Sequence, residues 1–173
     1  MLRGDKVGLR ARLEADVPVL HADLHDDVAG HARISTHPWR PLPPDTASSP
    51  YRPDTSTPDV ERFSVVRLAD DELAGSALLW GIDRHNRLAH LGLALRPAFR
   101  GLGLGADTVA VLCHYGFTVL GLQRLQIETL ADNEAMIRAA TRNGFVHEGT
   151  LRRAGWVFGA FIDEVVFGRL AGE

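Results

Sequence analysis

Hydrophobic and polar positions along the chain fall into blocks whose period changes from two to about 3.6 and back. From Lys6 to Leu13 the apolar side chains alternate (Val7, Leu9, Ala11, Leu13) with Arg10 and Arg12 between them, the pattern of a half-buried strand. A helix is expected next, with Asp16 as N-cap, Pro18 in the first turn, Val17, Leu20 and Leu24 on the apolar face, and His21, Asp23 and Asp27 toward solvent. Two apolar runs, Glu61 to Val66 and Leu73 to Ile82, flank the polar turn Ala69-Asp70-Asp71-Glu72, and a third, Leu88 to Leu95, follows Arg84-His85-Asn86-Arg87. Together they predict an antiparallel meander. Pro97 stops the third strand, a glycine-rich stretch runs from Arg100 to Gly105, and Ala106 to Leu120 reads as a helix buried on most sides. Arg124 to Leu130 alternates again, Asp132 or Asn133 caps a helix ending at Arg142, and Asn143-Gly144 supplies the left-handed stop. Phe145 to Leu151 and Phe158 to Leu170 give a closing pair of strands. The pattern contains no repeat and no break that would separate two cores, so residues 1–173 are read as one α/β domain.

One segment resists this scheme. Seven of the nine prolines lie between Pro38 and Pro58, which excludes regular helix and central strand. An insert of roughly twenty residues without regular structure is either a lid or a solvated loop, here with Trp39 and Tyr51 as anchoring aromatics. The 45% hydrophobic and 24% charged composition is that of an ordinary globular chain. A net charge of -3 has the wrong sign for a surface that tracks phosphate backbones, so nucleic acid is not the expected partner. No apolar stretch reaches bilayer-spanning length and Met1 to Arg12 has no apolar centre, so no membrane is expected and the chain is read as cytoplasmic. The single cysteine, Cys113, lies within the apolar helix and is read as a core residue.

The chemistry concentrates at Arg100-Gly101-Leu102-Gly103-Leu104-Gly105-Ala106. Three alternating glycines before a buried helix let backbone N–H groups converge on one point at the positive end of the helix dipole, a natural seat for a phosphate or pyrophosphate. The bland alternative is a tight connection that uses glycine only for its positive φ. A dinucleotide-binding reading fits poorly: hairpins precede the glycines, and no Asp or Glu lies between Asp107 and Glu128. The Walker pattern fails because no Gly-Lys-Ser/Thr follows.

Arg100-x-x-Gly103-x-Gly105 resembles the Q/R-x-x-G-x-G/A signature of the GNAT N-acyltransferase superfamily, and further blocks resemble its RimJ/RimL-type branch in order. These are Leu2 to Arg10 with Glu14-Ala15-Asp16, then Ala89 to Leu93 before Arg96-Pro97-x-Phe99-Arg100-Gly101, and finally Asn133-Glu134-x-Met136 through Asn143-Gly144-Phe145 to Glu148-Gly149-x-Leu151-Arg152 and Asp163. The resemblance implies a mixed, mostly antiparallel sheet that splays beside the glycine arm, with acetyl-CoA as cosubstrate and no metal. It implies that the backbone around Leu93 and Leu95 pairs with the pantetheine amides and that Arg100, Gly101, Leu102, Gly103, Leu104, Gly105 and Ala106 hold the pyrophosphate. Asn133 would touch the pantetheine near the thiol, serve as N-cap of its own helix, or do both. The acceptor would be a primary amine, on a small molecule or a protein N-terminus. Relatives occur as monomers and dimers, so a homodimer is one expected assembly.

Acyl transfer to an amine needs a base, an oxyanion donor and a proton for the departing thiolate. His90 stands where many relatives carry a glutamate and is the first candidate base, with Glu128 on the next strand the second. The family often places a tyrosine, as acid, at the position held here by Ala140; its absence leaves water or a side chain such as Tyr51. An acyl-CoA-binding module without turnover, and another donor such as succinyl-CoA, are the competing readings. His21-x-x-x-His25 has the spacing of a metal pair, but a solvated helix face is the expectation. Trp80, Trp156, Phe158 and Phe161 line an acceptor channel or fill the core; the sequence does not choose.

Overall fold

The computed structural model describes residues 1–45, 49–53 and 57–173. Residues 46–48 and 54–56 of the proline-rich insert lie outside the described residues, and with them part of the expected lid. One mixed sheet organises the rest. Its eight strands are β1 (Leu2–Arg3), β2 (Val7–Ala11), β3 (Glu61–Arg67), β4 (Leu73–Asp83), β5 (Leu88–Leu95), β6 (Arg124–Leu130), β7 (Val146–Val157) and β8 (Ala160–Leu170), in the order β1-β2-β3-β4-β5-β6-β8-β7. Every pairing is antiparallel except β5 with β6. The expected third strand and the strand at Arg124 are found with their expected bounds, while the last two form a longer hairpin whose turn takes Phe158 at positive φ.

Alternation sorts the two faces. Leu79, Ala89, Leu91, Leu125 and Ile127 point to one side, where they meet α3 (Leu104–His114) and α4 (Glu134–Arg142) in a continuous core. Cys113 is buried in that core, and its thiol is pushed up to about 11 by burial, which makes it a packing residue as expected. The opposite face carries Trp80, His90, Gln126 and Glu128; α1 (Asp16–Leu20) and α2 (Val28–Ile34) flank it.

The first helical region departs from the expected pattern in three respects. Asp16 is not the N-cap but lies in the first turn, buried. There it accepts two bonds from the Arg10 guanidinium at 2.6 and 2.8 Å, one from the Leu13 N–H at 2.9 Å and one from the Ser64 hydroxyl at 2.7 Å. The helix then widens into a π turn over His21–His25, and both histidines are buried instead of solvated: His21 shares the face of Val17, four residues before it. Asp23 pairs with Arg96 at 2.6 Å, and Asp27 caps α2 through the Gly30 N–H, which takes both away from solvent duty.

The described part of the insert is anchored by its aromatics. The Trp39 indole donates to the His25 carbonyl at 2.9 Å, and Tyr51 is buried with Val17, Leu20 and Leu24 in a satellite core. Burial pushes the Tyr51 hydroxyl up to about 12, against the nearby positive charge of Arg12. Arg12 is itself buried, donating to Phe63 O and the Ser76 hydroxyl at 2.7 and 2.6 Å, and desolvation holds its guanidinium down at about 10. A tyrosine wedged in this way is a strut and a poor proton donor to a distant thiolate.

Asp16 yields a pH-dependent prediction. Burial alone would raise its carboxyl; the Arg10, Leu13 and Ser64 bonds outweigh that and hold it at about 2 against an ordinary 3.8. A depressed carboxyl contributes stability above its unfolded pKa and loses it as pH falls through the folded one, here between about pH 4 and 2, and the shift corresponds to about 2 kcal/mol. Asp16→Ala is expected to cost roughly 2–3 kcal/mol at pH 7, by stranding charged and buried partners, and to flatten that acid limb. Urea denaturation at pH 7, 4 and 3 measures both effects; a parallel acid limb in the variant would assign the pH dependence elsewhere.

Candidate active site

The site begins where the parallel pairing stops. β5 and β6 are in register only from Leu88 opposite Arg124 to His90 opposite Gln126, whereas β5 stays paired with β4 as far as Leu95 opposite Gly75. From Leu91 to Leu95, therefore, the other edge of β5 has no strand partner among the described residues. Its N–H and C=O groups form a template for one more extended, amide-bearing chain. Leu93 and Leu95 meanwhile turn their side chains toward the core that seats α3.

At the end of that edge a single 3-10 turn, Pro97–Phe99, throws the chain into the glycine arm. Gly101 and Gly103 both take the left-handed conformation, with φ of +75° and +79°, and Gly103 is the N-cap of α3. The N–H groups of Gly101, Leu102 and Gly103 donate to no protein acceptor among the described residues, and those of Leu104, Gly105 and Ala106 are the open first turn of an eleven-residue helix. Nothing lies within 4 Å of the position a Cβ would take on Gly101. Converging free amides, open space and a helix dipole fit a diphosphate. The Leu104 side chain is buried in the core and holds the helix end in place, while Leu102 faces outward. Arg100 is turned back, its Nε donating to Leu95 O at 3.0 Å, so its guanidinium sits at the mouth between strand end and arm.

A second cation arrives from the other end of the chain. The Asp107 carboxylate on α3 accepts from the backbone N–H groups of Asp5, Lys6 and Val7 at 3.2, 2.8 and 2.9 Å, which clamps the β1–β2 turn onto the helix. The Lys6 ammonium thereby reaches Leu102 O at 3.2 Å and lies 3.1 Å from where a Cβ on Gly103 would be. Sequence reasoning missed Lys6, because about a hundred residues separate it from the arm and only the Asp107 clamp joins them.

On the flanking face, His90 stacks on Trp80 with ring centres 4.1 Å apart, and its Nδ1 is buried without a hydrogen bond, 3.7 Å from Glu128 Oε1. The two candidate bases are thus neighbours on adjacent strands. Behind Glu128, the Gln126 amide donates to Oε1 at 2.6 Å, and Gln126 in turn accepts from Arg124, which is ion-paired with Glu148. This polar row uses alternate residues of β6, so it was legible as a strand face but not as a network. Gly81 makes room for it: it sits at the irregularity of β4 with φ +58°, and a Cβ there would stand 3.2 Å from His90 Cδ2.

Asn133 is placed as the N-cap of α4, its Oδ1 accepting from Met136 N at 3.3 Å and its Nδ2 donating to Thr129 Oγ1 at 2.9 Å. Both ends of its amide are engaged, and the capping role expected for it is present. Ala140 is fully buried in α4. Trp80 borders His90, whereas Trp156, Phe158 and Phe161 stand more than half exposed at the tip of the β7–β8 hairpin and do not fill the core.

This geometry has clear counterparts among known proteins. Residues 6–146 match the model of the acetyltransferase (GNAT) domain, and the chain belongs to that family. Among curated relatives, the uncharacterised N-acetyltransferase p20 of Bacillus licheniformis is 32% identical over 112 residues, which cover 65% of this chain and 63% of that protein. The ribosomal-protein-serine acetyltransferase of Escherichia coli (strain K12) is 30% identical over 101 residues, 58% of this chain and 56% of that protein. The chain thus spans less than two thirds of the length of these curated relatives. A crystal structure of the spermidine N-acetyltransferase from Vibrio cholerae, in complex with CoA and spermine, superposes with a TM-score of 0.84 over 95% of each chain at 22% identity, a likeness of fold.

The arm predicts opposite signs for two glycines. Gly103→Ala puts a side chain at φ +79° and is expected to cost about 1–2 kcal/mol. Gly105 lies inside the helix, where a Cβ would make ordinary contacts of 3.8 and 4.0 Å with Leu95 and Leu93, so Gly105→Ala is expected to be neutral or to stabilise by up to about 1 kcal/mol. Chemical denaturation of the two variants checks the pair; destabilisation of similar size in both would mean that the arm is strained as a whole.

Proposed function

We propose that the protein is an acetyl-CoA-dependent N-acetyltransferase acting on a primary amine through a ternary complex. The observation that carries this reading is the unpaired edge of β5 from Leu91 to Leu95 running straight into the free amides of residues 101–106. An extended amide-bearing chain that ends in a diphosphate matches both halves of that surface, and the pantetheine and pyrophosphate of coenzyme A have that order. Lys6 and Arg100 supply charge at the mouth. The family membership supports the chemistry, and the structure from Vibrio cholerae supports the donor.

Acetyl-CoA supplies the activated acyl group: a C–N bond forms as the C–S bond breaks, the amine loses a proton and the thiolate takes one up. His90 draws the proton from the incoming ammonium. Glu128, 3.7 Å from its Nδ1, stabilises the imidazolium that results, and Gln126 fixes the carboxylate. A backbone N–H of β5 near Leu93, at the unpaired edge, serves the oxyanion. With Ala140 in α4 and Tyr51 locked in the satellite core, the thiolate is protonated by water.

The acceptor is a primary amine, either on a small molecule or at a protein N-terminus. Relatives in both comparisons include proteins named for spermidine and proteins named for a ribosomal protein. Trp80 and Glu128 offer the acceptor an aromatic wall and a negative charge beside His90, a combination that attracts an ammonium of either kind. We place the chain in the cytoplasm as a single domain; no helix among the described residues is long and apolar enough to cross a membrane.

Acetyl-CoA at about 100 times its dissociation constant is expected to raise stability by about 2.7 kcal/mol, and Gly103→Glu to abolish that protection while remaining folded. An amine panel read by thiol release is expected to give turnover that His90→Ala lowers about a hundredfold with cofactor protection intact. Protection without turnover across the panel would make the protein an acyl-CoA-binding module, and undiminished coenzyme A affinity in Gly103→Glu would remove the arm from the site.

A further inference from the structure

Outside the cleft, the π turn and the start of the insert enclose a cluster of imidazoles that the transfer chemistry does not use. His21 and His25 are each only 2% exposed, and their rings lie 4.4 Å apart. Neither ring nitrogen of His21 has a hydrogen bond, and Nδ1 of His25 has none. Leaving three imidazole nitrogens buried and unpaired is costly, so such a group requires a partner. One donor atom from each of His21, His25 and Asp26 lies within 4.8 Å of the other two, with His21 Nε2 already 3.4 Å from Asp26 Oδ1.

We infer that His21, His25 and Asp26 form a binding site for a divalent transition metal of the zinc type. The protonation pattern is that of a ligand set. His25 Nε2 lies 2.8 Å from Arg40 O, and a carbonyl only accepts, so that nitrogen carries the proton and the buried, unbonded Nδ1 is left with its lone pair for a metal. This is the second-sphere arrangement that orients a metal-bound histidine. Two imidazoles and one carboxylate suit zinc and its neighbours, while magnesium and calcium seek oxygen alone. Tetrahedral bonds of about 2.0–2.1 Å set ligand atoms about 3.3 Å apart. The three atoms thus have to draw together by no more than about 1.5 Å from their limit of 4.8 Å, a matter of side-chain rotation. Asp26 is largely exposed, so the fourth position opens to a water molecule and the ion has a path in.

The consequence is mechanical. Trp39 stacks on His25 and donates to its carbonyl, so a metal at His25 ties the insert to the π turn. In the same turn Asp23 holds Arg96, the residue that leads into the glycine arm. The site braces the helical corner beside the acceptor face and carries no part of acyl transfer. It revises the expectation that this face is solvated, and it stands whether or not the acetyl-transfer reading does.

The test uses the full chain, stripped with chelator and titrated with zinc chloride by calorimetry, with magnesium chloride as control. The expected result is one zinc per chain, an increase in melting temperature on zinc addition, no binding of magnesium, and at least a tenfold loss of zinc affinity in both His21→Gln and Asp26→Asn. Because His21 is buried, its variant risks unfolding; Asp26→Asn, at an exposed position, decides the matter alone in that case. No zinc uptake by the folded wild-type chain, or wild-type zinc affinity in Asp26→Asn, would overturn the assignment.

Discussion

The parallel pairing between β5 and β6 lasts three residues and then stops at His90, and nearly every part of the candidate site is arranged around that short contact. A central strand that loses one neighbour exposes main-chain donors and acceptors that have to be satisfied. Here β4 keeps β5 straight as far as Leu95, so the orphaned edge is held rigid instead of curling away, and the core beneath it, with Leu91, Leu93 and Leu95 against α3, fixes its height. The same divergence sets His90 at the fork, the last residue with strands on both sides, and brings Glu128 within 3.7 Å of it from the departing strand. A longer pairing would close the edge and a shorter one would separate the two side chains.

Rigidity on the other side of the cleft comes from charges placed where sequence periodicity expected exposure. Asp16 binds Arg10 and Ser64, Arg12 binds Phe63 and Ser76, and Arg96 binds Asp23 and the Leu73 carbonyl. Asp16 joins α1 to β2 and β3, Arg96 joins the π turn to β4, and Arg12 ties the segment between β2 and α1 to β3 and β4. Buried or half-buried ion pairs contribute little net stability compared with apolar packing, but they fix orientation, since the alternative is an uncompensated charge. For a helix pair that flanks an acceptor face, orientation is the relevant property. The Asp107 clamp on residues 5–7 works in the same way, and it is what converts Lys6 from a surface lysine into part of the arm.

Strands β2 to β8, the arm, α3 and α4 were legible in the sequence because their signals are local: period-two alternation in β5 and β6, glycine at the left-handed positions 101 and 103, and Asn143-Gly144 after α4; β1 and α2 were not expected. Asn133 could be recognised as a cap from its neighbours alone. What stayed hidden depends on contacts between distant segments or on a change of helical pitch. Lys6 is invisible without the Asp107 clamp. His21 and His25 are expected toward solvent, yet both are buried: His21 follows Val17 by four residues and shares its face, and His25 lies at the end of a π turn that no residue preference announces. The aromatics of the last hairpin read equally well as core or as surface, since strand alternation says which residues share a face and not whether anything covers it.

The substitution at Ala140 shows why the arm can be argued further than the chemistry at its end. Backbone groups bind the proposed cofactor, so the demand on sequence is for conformation, and glycine satisfies it visibly. Proton transfer to a thiolate demands a particular acid within reach, and here α4 offers a buried methyl group at the position where the family resemblance leads one to expect a phenol. A thiolate leaving into an open fork can be protonated by water, provided the fork stays wet on the side away from the core. The faces are arranged for that: β6 turns Leu125 and Ile127 inward and Arg124, Gln126 and Glu128 outward, and the outward row is charged, hydrogen-bonded and half exposed. Under the proposed function, a polar row of this kind would keep water beside the thioester, and the reaction would need no tyrosine as long as Glu128 and its neighbours hold that row in place.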